Sequence, residues 1–190
     1  MPGNVLQAIR KSVGISQSEL ARRSGLYQAN ISSIENGITD PGFATVTKYL
    51  SELGYRLIPV PTDSQCVAEY SLPISQALAE GKEDRAFRLF IQLNNQLGDL
   101  APEVCLALCI APPALTGASR YDALIAGLVE YHLTKRNLPL PRWLAESNRK
   151  LPSPWTVDEY STPRDKLEVN TPTSFLKRNI LLNETELVSV

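Results

Sequence analysis

The sequence predicts a mainly α protein with two domains, and three observations support this prediction. Apolar side chains recur at intervals of three and four positions over most of the chain, which is the period of an amphipathic helix. Glycines or prolines close most of these segments. Of the 190 residues, 43% are hydrophobic and 21% are charged, a composition typical of a soluble protein with a buried core. We expect one domain in residues 1–61, a linker in 62–72 and a second domain in 73–190.

The N-terminal domain begins with helical segments that are each bounded by a capping residue or a glycine. Ser16 and Glu19 form a capping-box pattern, in which the hydroxyl accepts from the backbone N–H of residue 19 and the carboxylate reaches back to residue 16. The pattern places four helices in this domain, over 4–13, 16–24, 28–35 and 43–53.

The second and third of these helices have helix-turn-helix geometry, because a tight turn containing Gly25 joins them. Their sequence resembles the XRE/phage-repressor family of helix-turn-helix proteins over residues 4–60. The resemblance is carried by Gln17 at the start of one helix, the Leu20-Ala21 pair, Gly25 and the closing Ile34-Glu35-Asn36-Gly37. It implies a five-helix DNA-binding domain that is followed by a short β-strand.

The resemblance also implies which residues contact DNA. Base contacts are implied for Gln28, Ala29, Asn30 and Ser33, at the start of the helix that enters the major groove. The amides of Gln28 and Asn30 suit adenine, and the methyl group of Ala29 suits the methyl group of thymine. Phosphate contacts are implied for Gln17 and Asn36, and further candidates are Arg22, Arg23 and Tyr27.

Two further positions in this domain have a structural interpretation. Arg10 and Glu35 lie where relatives pair an arginine with a glutamate, so we interpret them as a structural ion pair. Tyr27 lies where relatives place a Ser or Thr as the N-cap, and the loss of that hydroxyl costs about 1 kcal/mol of helix stability. Its phenol is therefore a candidate phosphate contact instead.

Residues 55–60 alternate in hydrophobicity and are followed by prolines, which predicts a short edge strand. Many antitoxins with this type of helix-turn-helix pair such a strand with the twin subunit. The resemblance therefore implies a homodimer through the 55–60 strand, which would bind a palindromic double-stranded operator with half-sites about 34 Å apart. The alternative interpretation is a stiff linker between domains.

The C-terminal domain is predicted to be helical with a proline-rich tail that wraps around it. Nine of the fourteen prolines lie between residues 102 and 172, a density that prevents long regular elements. Within the domain the predicted helices run over 73–80, 83–97, 102–110 and 122–135, and a shorter one begins at Pro139.

Three segments of this domain, 121–132, 138–144 and 172–182, are similar to C-terminal domains encoded in bacterial toxin–antitoxin operons. In those operons the toxin often looks like a nucleotidyltransferase. The resemblance implies an antitoxin that represses its own operon and neutralises a cognate toxin. The residues that it implies for toxin binding are Trp143, Trp155, Phe175, Lys177 and Arg178.

Two alternatives stay open for this domain. In the first, the aromatic side chains only anchor the tail and are not a binding surface. In the second, the protein is a stand-alone repressor whose C-terminal domain senses a small molecule in a pocket around Phe87, Phe90, Cys105 and Cys109.

Several other classes of protein are not expected. His132 and Glu130 are close in sequence but form no catalytic group, and Cys66, Cys105 and Cys109 lack partners at metal-binding spacing, so we expect neither an enzyme nor a metal or cofactor site. No apolar run reaches the roughly 18 residues of a membrane span. With no signal peptide pattern, a cytoplasmic location is expected.

Residues 1–61 contain six basic and four acidic side chains, a balance that favours a nucleic-acid partner for this part.

Overall fold

A computed structural model describes residues 2–157 and 169–187, and it confirms the mainly helical fold. The N-terminal domain consists of helices α1 (Pro2–Ser12), α2 (Gln17–Ser24), α3 (Gln28–Glu35) and α4 (Phe43–Ser51). Their apolar faces meet in a small core of eight buried side chains, namely Leu6, Ile9, Leu20, Ile31, Ile34, Tyr49, Leu50 and Leu53.

The N-terminal domain differs from the expected architecture in two respects. It contains four helices and not five, because the next helix, α5 (Val67–Ala79), buries Val67, Tyr70 and Ile74 in the core of the C-terminal domain. Residues 55–60 form neither helix nor strand. A strand requires a hydrogen-bonding partner, and no described segment of this chain lies beside 55–60 as one. Pairing with a twin subunit stays a prediction.

Helix α5 begins six residues earlier than the sequence predicts. The carboxylate of Glu69 accepts a hydrogen bond from the backbone N–H of Cys66 at 2.8 Å, which caps the helix at its observed start. Pro73, which was expected to open the helix, lies inside it. Residues 67–72, which were expected in the linker, are therefore helical and contribute buried side chains.

The C-terminal domain is built around one long, buried helix. Helices α6 (Glu83–Asp99) and α7 (Pro102–Cys109) pack with α5 around α8 (Ser119–Lys135). Helix α8 is buried on nearly every side, and its central residues 123–129 are apolar on all faces and not on one stripe. Its buried apolar side chains include Leu124, Ile125, Leu128, Val129 and Leu133.

The described parts of the tail pack against α8. Short 3-10 helices at Arg142–Ala145 and Ser147–Arg149 are followed by strand β1 (Trp155–Thr156), and the chain then returns through α9 (Thr173–Leu176), strand β2 (Ile180–Leu181) and a 3-10 helix at Glu184–Leu187. The two strands pair in parallel, with Trp155 opposite Ile180. The expected short helix begins at Arg142 and not at Pro139. The tail residues 158–168 and 188–190 lie outside the described residues.

The two domains are in contact. Helix α1 packs beside α5, and Ala111 of the C-terminal domain contacts the N-terminal core. A cleft of about 530 Å³ lies between α1 and the segments 112–115 and 146–149. In the part of the chain that the structure describes, no helix combines the length and the apolar character that crossing a membrane requires.

Candidate nucleic-acid interface

Helix α3 presents a polar face to solvent and an apolar face to the core. Gln28, Ala29 and Asn30 are exposed at its N-terminal end, whereas Ile31 and Ile34 are buried beneath them. The preceding turn is closed by Gly25, whose φ of 65° lies in the left-handed region and allows the sharp change of direction between α2 and α3. Three of the four residues implied for base contacts are thus exposed at one helix end, and the fourth, Ser33, is half-buried.

A buried carboxylate connects α3 to the other three helices of the domain. Glu35 accepts hydrogen bonds from Arg10 Nε and Nη2, both at 2.7 Å, and from Gln17 Nε2 at 2.9 Å. The hydroxyl of Tyr49 donates to the same carboxylate at 2.5 Å. Glu35 is only 1% exposed, so these hydrogen bonds hold the orientation of α3 in a region that excludes water.

The charges of this network keep Glu35 ionised. Burial alone would raise the pKa of Glu35. The hydrogen bonds from Arg10, Tyr49 and Gln17 lower it by more than burial raises it, so that the pKa of Glu35 is about 2. Burial and the neighbouring carboxylate together raise the pKa of the Tyr49 hydroxyl, which therefore stays protonated and acts as a donor. Arg10 and Glu35 form the ion pair that the sequence predicts. The sequence does not predict the contribution of Tyr49, because its position on an apolar face does not reveal where its hydroxyl points.

Gln17 joins this buried network to the exposed end of α3. While its Nε2 donates to Glu35, its Oε1 accepts a hydrogen bond from Gln28 Nε2 at 3.3 Å. The side chain implied for a phosphate contact therefore also positions the side chain implied for a base contact. No signal within a single helix indicates this contact, since it joins residues that are eleven positions apart.

The arginines implied for phosphate contacts are paired in the free protein. Arg22 Nη2 and Arg23 Nε both lie 2.7 Å from Glu19 Oε1. The hydrogen bonds from Arg22 and Arg23 lower the pKa of Glu19 to about 2. Only half of the expected capping box forms: Ser16 Oγ accepts from the backbone of Glu19 at 3.1 Å, but the carboxylate turns to the arginines. A phosphate group would compete with Glu19 for them.

The N-terminus of α3 has no side-chain cap. Tyr27 occupies the N-cap position in an extended conformation, makes no capping hydrogen bond, and is 80% exposed. The first turn of the helix is consequently open to an acceptor from outside, and a phosphate oxygen has the charge that this end of a helix favours. Asn36, at the other end, is exposed and donates to Ser32 Oγ at 3.3 Å.

Residues 6–59 match the family model described as helix-turn-helix. This segment is a helix-turn-helix domain. It is similar to an uncharacterized HTH-type transcriptional regulator of Haemophilus influenzae, at 44% identity over 52 residues, which are 27% of this chain and 53% of that protein. It is also similar to the uncharacterized HTH-type transcriptional regulator y4dL of Sinorhizobium fredii, at 38% identity over 56 residues, which are 30% of this chain and 29% of that protein.

This chain covers about half of the length of one relative and less than a third of the length of the other. No solved structure matches the chain. Both relatives are described as transcriptional regulators.

Three of the five side chains implied for toxin binding are buried within the C-terminal domain, namely Trp143, Phe175 and Arg178. Phe175 packs against α8, and Trp143 Nε1 donates to the backbone carbonyl of Cys109 at 3.0 Å. Arg178 donates to Glu130 at 2.5 Å and is 5% exposed. These large side chains pack the tail against the rest of the C-terminal domain. Trp155 is half-buried, and Lys177 is 61% exposed with its Nζ 2.9 Å from Glu130.

The expected small-molecule pocket is filled by the core. Phe90, Cys105 and Cys109 are fully buried in the main hydrophobic cluster, and Phe87 packs against it. These side chains line none of the five best-formed cavities of the described residues. In the described part of the chain, no group of three or more His, Cys, Asp or Glu side chains could hold a metal ion.

Proposed function

We propose that this protein regulates transcription by inserting α3 into the major groove of double-stranded DNA. The observation that carries the proposal is the end of α3, where Gln28, Ala29 and Asn30 are exposed while Glu35 anchors the helix from within. Amide and methyl groups at this place match the hydrogen-bonding and methyl groups of A·T pairs. The similarity of residues 6–59 to transcriptional regulators supports the same function.

We propose that the active form is a homodimer on a palindromic operator. The segment that would join the subunits exposes two apolar side chains, Leu57 and Ile58, the latter to 77%. Exposed branched side chains on a segment without a strand partner in its own chain are suited to pairing with a second copy. Two copies of α3 would then contact half-sites about 34 Å apart.

The base-contact assignment is tested by the Gln28→Ala variant. The operator is first selected from random duplexes by the wild-type protein, and binding is then measured by fluorescence anisotropy at fixed salt. We expect a loss of about 1–3 kcal/mol on the operator, which is roughly 5- to 150-fold, with little change on unrelated DNA. Gln76→Ala removes an equally exposed helical glutamine from the C-terminal domain and serves as the matched control. Equal losses on both DNAs, or no loss, would contradict the assignment.

We further propose that the regulator is a cytoplasmic antitoxin that controls its own operon and neutralises a toxin, which resembles a nucleotidyltransferase. Support comes from the similarity of segments 121–132, 138–144 and 172–182 to domains of such operons. Because Trp143, Phe175 and Arg178 are buried, the side chains of the implied set that remain accessible to a toxin are Lys177 and part of Trp155.

The antitoxin role is tested by expressing the tagged full-length chain in its native cell and identifying what copurifies. One stoichiometric protein from a neighbouring gene, whose growth inhibition is relieved by co-expression of this chain, would support the role. A regulator that purifies without a protein partner and fails to relieve inhibition by the neighbouring gene product would contradict it. DNA binding is measured on the same preparation, so that failure of the antitoxin role can be distinguished from failure of the proposed DNA binding.

A further inference from the structure

One of the cavities that the structure describes is lined by an excess of positive charge. It has a volume of about 850 Å³ and lies in the C-terminal domain, between the 3-10 helices at 142–149 and the turn after α9. Two carboxylates, Glu130 and Glu146, line it together with five cations, so that the cations exceed the carboxylates by three. The cations are Arg142, Arg149, Lys150, Lys177 and Arg178.

Two of these arginines are buried with unused hydrogen-bond donors. Arg149 is 2% exposed and Arg178 is 5% exposed. Among the described residues, Nε and Nη1 of Arg149 and Nε of Arg178 have no hydrogen-bond partner. A buried donor without a partner is rare in folded proteins and is commonly explained by a bound water or ion.

The neighbouring carboxylates do not satisfy Arg149. Its Nη1 lies 3.9 Å from Asp122 Oδ1 and its Nε lies 3.8 Å from Glu146 Oε2, which are both beyond hydrogen-bonding distance. Asp122 instead accepts hydrogen bonds from the backbone N–H and the hydroxyl of Thr116, at 2.8 and 3.0 Å. Burial lowers the pKa of Arg149, which means that its charge is held in a poorly solvated place.

Glu130 does not neutralise both of the cations that lie beside it, Lys177 and Arg178. It is shared by Lys177 Nζ at 2.9 Å and Arg178 Nη1 at 2.5 Å, so one carboxylate serves two cations. Arg142 and Lys150 are exposed, and no described carboxylate forms an ion pair with either. The cavity is therefore lined by two buried arginines, Arg149 and Arg178, and by three exposed cations, Arg142, Lys150 and Lys177.

We infer that this cavity is a binding site for a small organic anion that carries phosphate or carboxylate groups. Its volume lies within the range of small-molecule sites, which is roughly 300–1,000 Å³. Guanidinium groups donate in a planar fork that matches the oxygens of phosphates and carboxylates, and lysines add charge without imposing a geometry. The site is distinct from the apolar pocket that the sequence suggested, and it is independent of DNA binding by α3.

The inference is tested by calorimetric titration of the full-length protein at 0.15 M NaCl with two probes, inorganic pyrophosphate and citrate. Saturable 1:1 binding of either probe is expected, and the preferred probe distinguishes a phosphate ligand from a carboxylate ligand. Lys177→Gln and Arg142→Gln each remove an exposed cation of the cavity, and each should weaken binding at least tenfold. Arg88→Gln removes an exposed cation that does not line the cavity, and it should leave binding unchanged.

Thermal unfolding provides the check on folding. The Lys177→Gln and Arg142→Gln variants should unfold at the wild-type temperature, because Arg178 continues to pair with Glu130 when Lys177 is removed. Heats that do not saturate with either probe would overturn the inference. An equal loss of binding in Arg88→Gln would also overturn it, since the attraction would then come from overall charge.

Discussion

At Glu35, a single carboxylate accepts hydrogen bonds from side chains on three other helices. The donors are Arg10 and, at 3.4 Å, Gln7 on α1, Gln17 on α2 and Tyr49 on α4. Such a carboxylate stabilises the domain only while every partner is present, because removal of one partner leaves a buried charge unpaired. The pair Arg10–Glu35 follows from the resemblance, whereas the contribution of Tyr49 depends on a contact across fourteen positions that no sequence pattern reports.

Substitution of Glu35 should therefore destabilise the protein strongly. We expect Glu35→Gln to lower the free energy of unfolding by about 3–5 kcal/mol, since it leaves Arg10 buried without its counter-charge. Glu19→Gln is the matched control: it removes a carboxylate that is only half-buried and also pairs with arginines, and it should cost less than about 1 kcal/mol. Urea unfolding of both variants measures the difference, and equal costs would contradict the role given to the buried network.

His132 gives the protein a dependence on pH that can be isolated, because it is the single histidine of the chain. It is buried, and its Nε2 lies 2.9 Å from Asn94 Oδ1 while its Nδ1 lies 3.2 Å from Arg136 Nη1. Asn94 in turn donates to the backbone carbonyl of Leu187, which connects the imidazole to the tail. Burial lowers the pKa of His132 to about 4, and the charges of Arg136 and Lys135 contribute.

Stability should consequently decrease as the pH falls below neutrality. The unfolded chain binds this proton with a pKa of 6.5 and the folded chain with a pKa of about 4, so the unfolded state gains protons first. The neutral, buried His132 contributes about 3 kcal/mol to the free energy of unfolding above pH 6.5, and this contribution is lost as the pH falls to 4. Urea unfolding between pH 7 and pH 5 should show this slope in the wild type and not in His132→Gln. A wild type without a slope would show that His132 is accessible to protons.

At the scale of elements, the position of α9 depends on a glycine in α8. A Cβ atom at Gly127 would lie 2.6 Å from Cδ1 of Phe175, which is fully buried and has no space to move. A glycine inside a helix normally weakens it, so this position exchanges helix stability for close approach of the tail. The sequence shows Gly127 only as a break in an apolar run, and the reason for it lies 48 residues further along the chain.

Two alanine substitutions separate these effects. Gly127→Ala should destabilise the protein by about 1–3 kcal/mol, because the overpacked ring of Phe175 must shift. Gly98→Ala is also within a helix, but its nearest side-chain atom is His132 Cε1 at 3.8 Å, so it should be neutral or stabilising by up to about 1 kcal/mol. Thermal unfolding of both variants tests the comparison. Similar shifts in both would mean that Phe175 does not constrain α8.

At the scale of the whole molecule, the charges are distributed unevenly. The formal net charge is −1, yet residues 1–61 have an excess of two positive charges. Within that domain, Arg10 is buried with Glu35, and Arg22 and Arg23 share Glu19. We therefore expect attraction to DNA to depend on a local surface and on the exchange of Glu19 for phosphate as the partner of the two arginines, with little contribution from the overall charge.

This distribution predicts a steep dependence of DNA affinity on salt. A dimer that contacts six phosphates should lose about a thousandfold in affinity between 50 and 200 mM salt, because counterions are released from DNA on binding. Anisotropy titrations of the selected operator at four salt concentrations measure the slope. A flat response would contradict phosphate contacts by Gln17, Asn36 and the arginines. Glu19→Gln frees both arginines and should raise affinity for any duplex.

The sequence by itself determined the helical class, the limits of the helices to within a few residues at most ends, and the exposed end of α3. Capping residues, glycines and apolar periodicity act within about ten positions, so they can be interpreted locally. Only the tertiary structure decided the network around Glu35, the burial of Trp143 and Phe175, and the basic cavity. These depend on side chains that meet across long separations, such as the 48 positions between Glu130 and Arg178. The sequence pattern of one segment does not indicate which distant residues will pack against it.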